Sequence, residues 1–540
     1  MSKNQNKTIG RVIGETNSNY FKFTVKEKQE PPVFEYIKIN ITEDSEEKQV
    51  LAQVTKISRE DPAMHQGTPI EAVETMRNEG VSNTQTLATA EVIGYLSTTG
   101  VKKPRHAPKP GQKVQLAENQ FLEQFTTVEN GLDIGSILTR KEVKGNIDIS
   151  GLNRHLAILA ATGSGKSHTT GVIIEELLEK GGTILAIDPH GDYTQMNQEQ
   201  SGENFEYTEN VRVFKARSPG DEEYQIKVKT SRLGWRKLCT LANIQEDFTN
   251  QRSLVRKIVK KIKEEEGDNY KYTLDDIIEK LEQVQDHTFP INTNDDGDNK
   301  SETVETADKV QFKFERLQRY NILGASDINF QELVSPQQLS VLDLSGVPFE
   351  AQDLIAEVIL ERIYEARLRN ELGEKGENYE YPIFTVIEEA HRLCPAANSS
   401  KNPRSKEKIS EIASEGRKFG TYLTLISQRP SKIDEDTLSQ CNSMIVQRIV
   451  NPKDQNSIKA ASESMAGSMI DELPGLNVGE AIVTGPAVEI PSVVKIRGRK
   501  TVHGGEDIEI NDKLDKARKE REREDKTTDK LDSNSDSLNV

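Results

Sequence analysis

Hydrophobic and polar positions follow two different patterns along the chain. Up to residue 115 the apolar residues come in short β-branched runs, "GRVIGE", "YIKINI", "QVLAQVTKIS" and "TAEVIGYL", separated by Gly, Pro and acidic turns. Short strands at this spacing predict a small β-barrel. "RHAPKPGQKVQL" is a Pro/Gly connection that carries a last strand. From residue 131 the apolar runs become nearly continuous and alternate with helical segments. Strands are predicted at 156–160, 184–188, 339–344, 383–387, 422–427, 444–446, 481–484 and 493–496. Continuous apolar runs are what a parallel sheet covered on both faces requires, and the alternation with helices makes this region α/β.

Two stretches depart from that pattern. In residues 231–330, "NQRSLVRKIVKKIKEEEG" and "LDDIIEKLEQV" place apolar residues at helical spacing, so an inserted helical subdomain is predicted. Within it "NTNDDGDNK" resembles the opening of a calcium loop. Thr303 stands where the twelfth-position carboxylate belongs, which leaves a plain polar loop. Residues 511–540 are mixed-charge and then polar, a helix at best followed by a disordered tail. The expected order is therefore a barrel (1–115), the first part of an α/β core (116–230), the helical insertion (231–330), the second part of the core (331–510) and the tail (511–540).

Composition narrows the class. The chain has 540 residues, 34% of them hydrophobic and 29% charged. No apolar run approaches the ~18 residues of a membrane span, and the start, "MSKNQNK", has no apolar leader. Cys239, Cys394 and Cys441 are far apart and form no metal spacing. A cytoplasmic protein without a membrane partner is expected. The net charge of −17 argues against non-specific nucleic-acid binding by the surface at large. A local basic channel stays open, because the field at a site depends on how charge is distributed.

The chemistry concentrates after the strand at 156–160. "AATGSGKS" leads into a helix with Val172, Ile173, Leu177 and Leu178 apolar, and the next strand returns at 184. Strand, Gly-rich loop, helix and strand in this order form the context of a phosphate-binding loop. Thr162, Gly163, Ser164, Gly165, Lys166, Ser167 and His168 are the expected nucleotide contacts. Gly163 and Gly165 let backbone N–H groups face the phosphates, and the helix N-terminus adds partial positive charge. Lys166 would reach the β- and γ-phosphates of ATP, and Ser167 would hold Mg²⁺. The usual pattern begins with Gly where this chain has Ala160, at the exit from the strand, where a small residue can suffice.

"YPIFTVIEEAHRL" is a buried strand that ends in Glu388-Glu389. Acids at the carboxyl end of a parallel strand lie in the ligand crevice. Glu388 is the candidate Mg²⁺ ligand and Glu389 the candidate general base; a solvated acidic pair opening a helix is the other reading. Gln428, ending "TYLTLISQRP", could orient water or sense the γ-phosphate, or be a plain strand-end polar group. Arg417 in "ASEGRKFG" could serve a neighbouring subunit's nucleotide or form a surface ion pair, and Arg154 is a second candidate for the same role. Lys401, Arg404, Lys406 and Lys408, in "NSSKNPRSKEKIS", could contact DNA phosphates from a pore-facing loop or simply be solvated.

Taken together, "RHLAILAATGSGKS", "AIDPHGDY", "VIEEAH", "EGRKFG", "LISQRP" and "LPGLNVGEAIVTG" resemble the HerA proteins of the HerA–FtsK group of DNA-translocating ATPases. "GRVIGE" is similar to the HAS-barrel that precedes the motor in that family. The resemblance spans roughly residues 8–500. It implies a P-loop NTPase (RecA-like) core with a mainly parallel sheet. It also implies a homo-hexameric ring that translocates along or unwinds double-stranded DNA with ATP and Mg²⁺. Through the resemblance a NurA-type nuclease is expected at the barrel face, in DNA end resection for recombinational repair. Asp188, His190 and Asp192 would lie beside the loop in coupling or structural roles. A DNA pump for segregation or transfer, a small-molecule kinase and a nucleotide-gated DNA clamp are the alternatives. The kinase lacks recognisable acceptor and lid elements, and an intact Lys166 and Glu389 argue against the clamp.

Overall fold

The computed structural model describes residues 7–43, 45–65, 67–81, 83–216, 224–267, 271–289, 300–400, 402–465, 467–505, 510–511 and 513–521. Its N-terminal strands are β1 (Thr8–Ile13), β2 (Tyr20–Val25), β3 (Tyr36–Glu43), β4 (Glu46–Glu60), β5 (Gln85–Ser97), β6 (Gly100–Lys102) and β7 (Lys113–Leu116). They pair in the order β2-β1-β7-β3-β4-β5-β6, and a further β2–β5 pairing closes six of them into a barrel. Closure removes the sheet edges that would otherwise offer unpaired N–H and C=O groups. Strand alternation fills the interior: Phe21 and Phe23 of β2 point inward with Ile37, Ile39, Val50 and Ala52. Gly94 sits at φ +153 beside a bulge in β5, where a Cβ would stand 2.6 Å from the Lys102 carbonyl oxygen. The close approach of two strands there admits only glycine.

The second sheet is built from β8 (Leu132–Ile137), β9 (Arg140–Ile147), β10 (Leu156–Leu159), β11 (Thr183–Asp188), β12 (Val211–Lys215) and β13 (Tyr224–Gln225). After the small pair β14 (Val228–Lys229) and β15 (Leu323–Gly324) it continues with β16 (Gln338–Asp343), β17 (Ile383–Ile387), β18 (Thr421–Ser427), β19 (Ser443–Val446), β20 (Glu480–Thr484) and β21 (Ser492–Ile496). The order is β13-β12-β16-β11-β17-β18-β10-β19-β20-β21-β8-β9. It is parallel from β13 to β19, and the last four strands add an antiparallel flank. The expected α/β class with a mainly parallel sheet and a leading barrel is the architecture observed.

Both faces of this sheet are covered, and the strands divide their residues between them. Ala157 and Leu159 of β10 join one core with the helix Phe349–Leu372, while Leu156 and Ile158 join another with the helix Lys166–Glu179. The first core also takes the apolar stripe Leu254, Val255, Ile258, Val259 and Ile262 of the helix Thr249–Glu266. With Trp235–Leu241, Leu274–Gln285 and Lys300–Gln318 that helix makes up the predicted helical region. Thr273 and Asp276 close a reciprocal capping box at the start of the third helix. Residues 292–299 of the polar loop and 522–540 of the tail lie outside the described residues, and 513–521 are helical.

The barrel is fixed to the segments that follow it by ion pairs as well as packing. Lys38 pairs with Glu118 at 2.6 Å and Arg140 with Glu35 at 2.9 Å, while Tyr36 and Leu51 belong to the second core. Among the described residues no helix is long and apolar enough to cross a membrane. All three cysteines are free and buried.

Candidate nucleotide site

The loop that follows β10 ends at Gly165, which caps the helix Lys166–Glu179 in the left-handed conformation at φ +101. Gly163 is also left-handed at φ +74, and a Cβ there would meet nothing within 4 Å. The loop thus turns on two glycines and leaves open space over Gly163, the shape of a phosphate cradle at a helix N-terminus. Ala160 is fully buried and still belongs to the sheet end, its N–H donating to the Ser427 carbonyl at 3.2 Å. Its methyl group therefore sits in the core, outside the cradle.

Side chains of three strands converge on this loop. Lys166 is 8% exposed, ion-paired with Glu388, and its Nζ lies 3.8 Å from Glu389 Oε1. Burial pushes the Lys166 ammonium down from its ordinary range, and the charges of Glu389, Asp192 and Asp188 oppose that shift. Because β18 lies between β10 and β17, Gln428 at its end falls between the loop and the acidic pair. Thr162 Oγ1 donates to Gln428 Oε1 at 2.6 Å, and Gln428 Nε2 donates to Glu389 Oε1 at 2.8 Å. One amide thus joins the mouth of the loop to the candidate base.

Glu389 adopts φ +50, a left-handed conformation uncommon for a residue with a side chain and of a kind that recurs at functional sites. His391 Nδ1 stands 3.1 Å from Glu389 Oε2 and 3.2 Å from Ser427 Oγ. Burial raises the Glu389 pKa, but the His391 hydrogen bond and the Lys166, His391 and His190 charges outweigh it and hold the carboxyl below its ordinary value. It is therefore an anion at neutral pH.

Glu388 is buried at 1% exposure and takes, besides Lys166, a hydrogen bond from Tyr193 Oη at 3.0 Å. The carboxylate that touches Ser167 is Asp192, whose Oδ2 accepts from Ser167 Oγ at 2.6 Å. Asp188 accepts backbone N–H bonds from His190, Gly191 and Tyr193 at 2.8–3.1 Å and so shapes the turn that delivers Asp192 and Tyr193. Burial raises Asp188 to about 6 despite those three donors. His168 donates through Nε2 to the Arg497 carbonyl at 2.8 Å, which ties the helix to the segment after β21. Ser164 is 4% exposed and packs under the loop against Arg448 and Gly479.

The oxygen donors fit a hard divalent cation carried with a phosphate. Ser167 Oγ and Asp192 Oδ2 lie together at the base of the cradle, with Glu388 bound to Lys166 beside them, and Mg²⁺ is commonly held by one or two protein oxygens and substrate phosphates.

The two arginines are elsewhere. Arg417 precedes β18 and Arg154 precedes β10, so both lie at the end of the strands opposite the loop, about 20 Å away for a seven-residue strand. Both are exposed, and neither has an ion-pair partner among the described residues. Between them His155, 1% exposed, accepts from the Leu423 N–H at 2.9 Å and donates to the Ala413 carbonyl at 3.0 Å.

The basic stretch after β17 is helical from Ser405 to Glu415. Arg404 is part-buried where the helix begins, Lys406 binds Asp434 at 2.9 Å and the Pro395 carbonyl, and Lys408 pairs with Glu411 at 2.6 Å. The ammonium groups of Lys406 and Lys408 are thus engaged within the chain and not carried on an open loop. Lys401 lies outside the described residues. Asp192 lies beside the loop as the resemblance implies, while the contacts of Tyr193 and His391 were not foreseen; "AIDPHGDY" and "EEAH" were the signals pointing to them.

The description "Helicase HerA, central domain" matches residues 132–363 and "HAS barrel domain" matches residues 9–98. A probable helicase of Methanocaldococcus jannaschii is 33% identical over 521 residues, which cover 94% of this chain and 93% of that one. The DNA double-strand break repair helicase HerA of Pyrococcus furiosus is 30% identical over 81% of this chain and 83% of its own length. The protein of the same description from Sulfolobus acidocaldarius is 31% identical over 77% and 79%.

Proposed function

The chain belongs to the HerA family of helicases and is thus an ATP-hydrolysing enzyme, and from that premise we propose that it is a ring motor that translocates on or unwinds double-stranded DNA. The observation that supports the motor chemistry best is the bridge from Thr162 through Gln428 to Glu389, which links the phosphate cradle to an ionised carboxylate.

Lys166 is paired with Glu388 and Glu389 within the chain. Binding exchanges those partners for the β- and γ-phosphates, so a buried cation keeps a counter-charge throughout. The N–H groups at the Gly163 and Gly165 turns hold the phosphate oxygens at the helix N-terminus. Ser167 and Asp192 would hold Mg²⁺, which supplies neutralisation of charge on the phosphates. Glu389 then accepts the proton of the attacking water, while Gln428, bonded to it, fixes the position of that water. Glu388, ion-paired with Lys166 beside the cradle, would be a further oxygen donor for the cation.

Arg417 and Arg154 cannot reach their own chain's loop, which favours a role on a neighbour's nucleotide in a ring. A homo-hexamer is the proposed assembly, with a NurA-type nuclease on the barrel face in DNA end resection. ATPase measured with and without linear duplex DNA, together with the native mass, tests the reading. A ring mass and DNA-raised turnover are expected. Turnover near zero in both conditions would favour a nucleotide-gated clamp, and turnover raised by a metabolite but not by DNA would favour a kinase.

A further inference from the structure

Beside the catalytic strand ends the chain forms a cavity of about 500 Å³ lined by Phe349, His391, Arg392, Pro395, Arg429 and Lys432 together with residues 398–400. Its lining carries three permanent cations and no carboxylate. Arg392 rests over the Phe349 ring at 5.3 Å, while the guanidinium of Arg429 and the ammonium of Lys432 have no ion-pair partner among the described residues. In a protein of net charge −17, in which Lys406 and Lys408 nearby are paired with acids, a cluster of uncompensated cations in a concave site marks an anion's place.

The walls are held in register. One comes from the segment after β17 and the other from the segment after β18. They are joined by an antiparallel bridge between Pro395 and Ile433, by the Ala396 N–H to the Lys432 carbonyl at 2.9 Å, and by the Asp434 N–H to the Cys394 carbonyl at 3.0 Å. The cations thus stand on fixed backbone. Both walls also run straight into the chemistry. His391 lines the cavity and touches Glu389 at 3.1 Å, and Arg429 directly follows Gln428, whose amide holds the other oxygen of Glu389.

Resting on the DNA-motor reading above, we propose that this cavity seats phosphodiester groups of the DNA backbone through Arg392, Arg429 and Lys432, and that His391 transmits its occupancy to Glu389. Phosphate contacts of this kind position the duplex without reading sequence, as a translocating motor requires. A phosphate drawn against Arg429 shifts the segment on which Gln428 sits. One against His391 competes for the ring that now holds Glu389. DNA occupancy and the readiness of the base thereby become one event, and the cavity belongs to the coupling between them.

The test uses the full chain. Duplex DNA affinity is measured against salt with a non-hydrolysable ATP analogue bound, for wild type and for a chain carrying Arg429→Ala and Lys432→Ala. Affinity at moderate salt is expected to fall at least about tenfold, and the salt slope to drop by about two, near 0.9 for each lost phosphate contact. Arg429→Lys with Lys432→Arg keeps both charges and is expected to restore the slope, which separates charge from folding. An unchanged affinity and slope overturns the cavity as a DNA site. So does a loss confined to the affinity for the ATP analogue, which would assign the cations to the nucleotide. Wild type that binds no duplex at all would instead overturn the motor reading itself. For the coupling, His391→Ala is expected to bring kcat in the presence of DNA down to its DNA-free value, with KM for ATP unchanged. A wild-type stimulation ratio in that variant removes His391 from the path.

Discussion

The two ends of strands β10 and β18 are opposites. At the carboxyl end, Lys166, Glu388, Glu389, Gln428 and Asp192 form a closed set in which every charge has a partner within the chain. At the amino end, Arg154 and Arg417 stand exposed without ion-pair partners among the described residues, around a buried His155. Each end contains a residue with a side chain in the left-handed region, Glu389 at φ +50 and His155 at φ +62. At one end the strained residue carries a candidate catalytic group; at the other it carries a ring that joins two neighbouring segments. The contrast teaches that one chain holds a pocket whose charges are matched internally, and separately a pair of exposed cations that are not matched among the described residues.

The sharpest way to break this comparison is Lys166→Ala. ATP turnover, read as phosphate release, is expected to fall by roughly three orders of magnitude or more, because the cradle loses its cation and Glu388 loses its ion-pair partner. Residual turnover near wild type would move the chemistry away from this end of the sheet. Next in size, Glu389→Gln should keep affinity for a non-hydrolysable ATP analogue while turnover drops about 10²–10³-fold; full turnover would take the role of base from Glu389. At the other end the informative variant is Arg417→Ala mixed with wild-type subunits. Activity is expected to fall faster than in proportion to the mutant fraction, and a straight line would detach Arg417 from a neighbour's nucleotide.

The smallest effect concerns stability and distinguishes the ends by pH. Burial lowers His155 to about 4, against the ordinary 6.5, with the Arg417 charge adding to the shift. The folded chain therefore binds fewer protons there than the unfolded chain does. Its contribution is full above pH 6.5 and is lost as pH falls toward 4, about 2 kcal/mol of it by pH 5. The urea midpoint of wild type should drop between pH 7 and pH 5, and His155→Gln should flatten that dependence whatever its absolute stability. An equal pH slope in both proteins would mean that His155 charges freely in the folded chain.

Most of the parallel core was legible because its strands are buried on both faces and so are almost purely apolar. The predicted 383–387 coincides with β17, and the other seven predicted strands lie within a residue or so of those observed at each end. What escaped was the outer half of the antiparallel flank, β8 and β9. "GLDIGSILTRKEVKGNI" has one partly solvated face and Lys and Glu in its strands, so β8 and β9 carry no continuous apolar run. β12 was missed because Arg212 and Lys215 break its apolar run. The candidate site divides the same way. Lys166, Glu388, Glu389 and Gln428 were readable because each ends a strand or opens a helix. The bonds Ser167–Asp192, Tyr193–Glu388 and His391–Glu389 depend on how turns bring side chains back to the loop, and no periodicity encodes that.

The pairing of β8 with β21 also sets an order on biosynthesis. The barrel has every strand it needs once residue 116 has left the ribosome. The hairpin of β8 and β9 has no sheet to join until β21 follows about 350 residues later, roughly 20–70 s at about 5–20 residues per second. Through that interval the free side of β8 is an open edge, the kind that recruits foreign strands. The ribosome therefore delivers a finished barrel long before a finished motor, and a chain ending ahead of Ser492 would remain in that exposed state permanently.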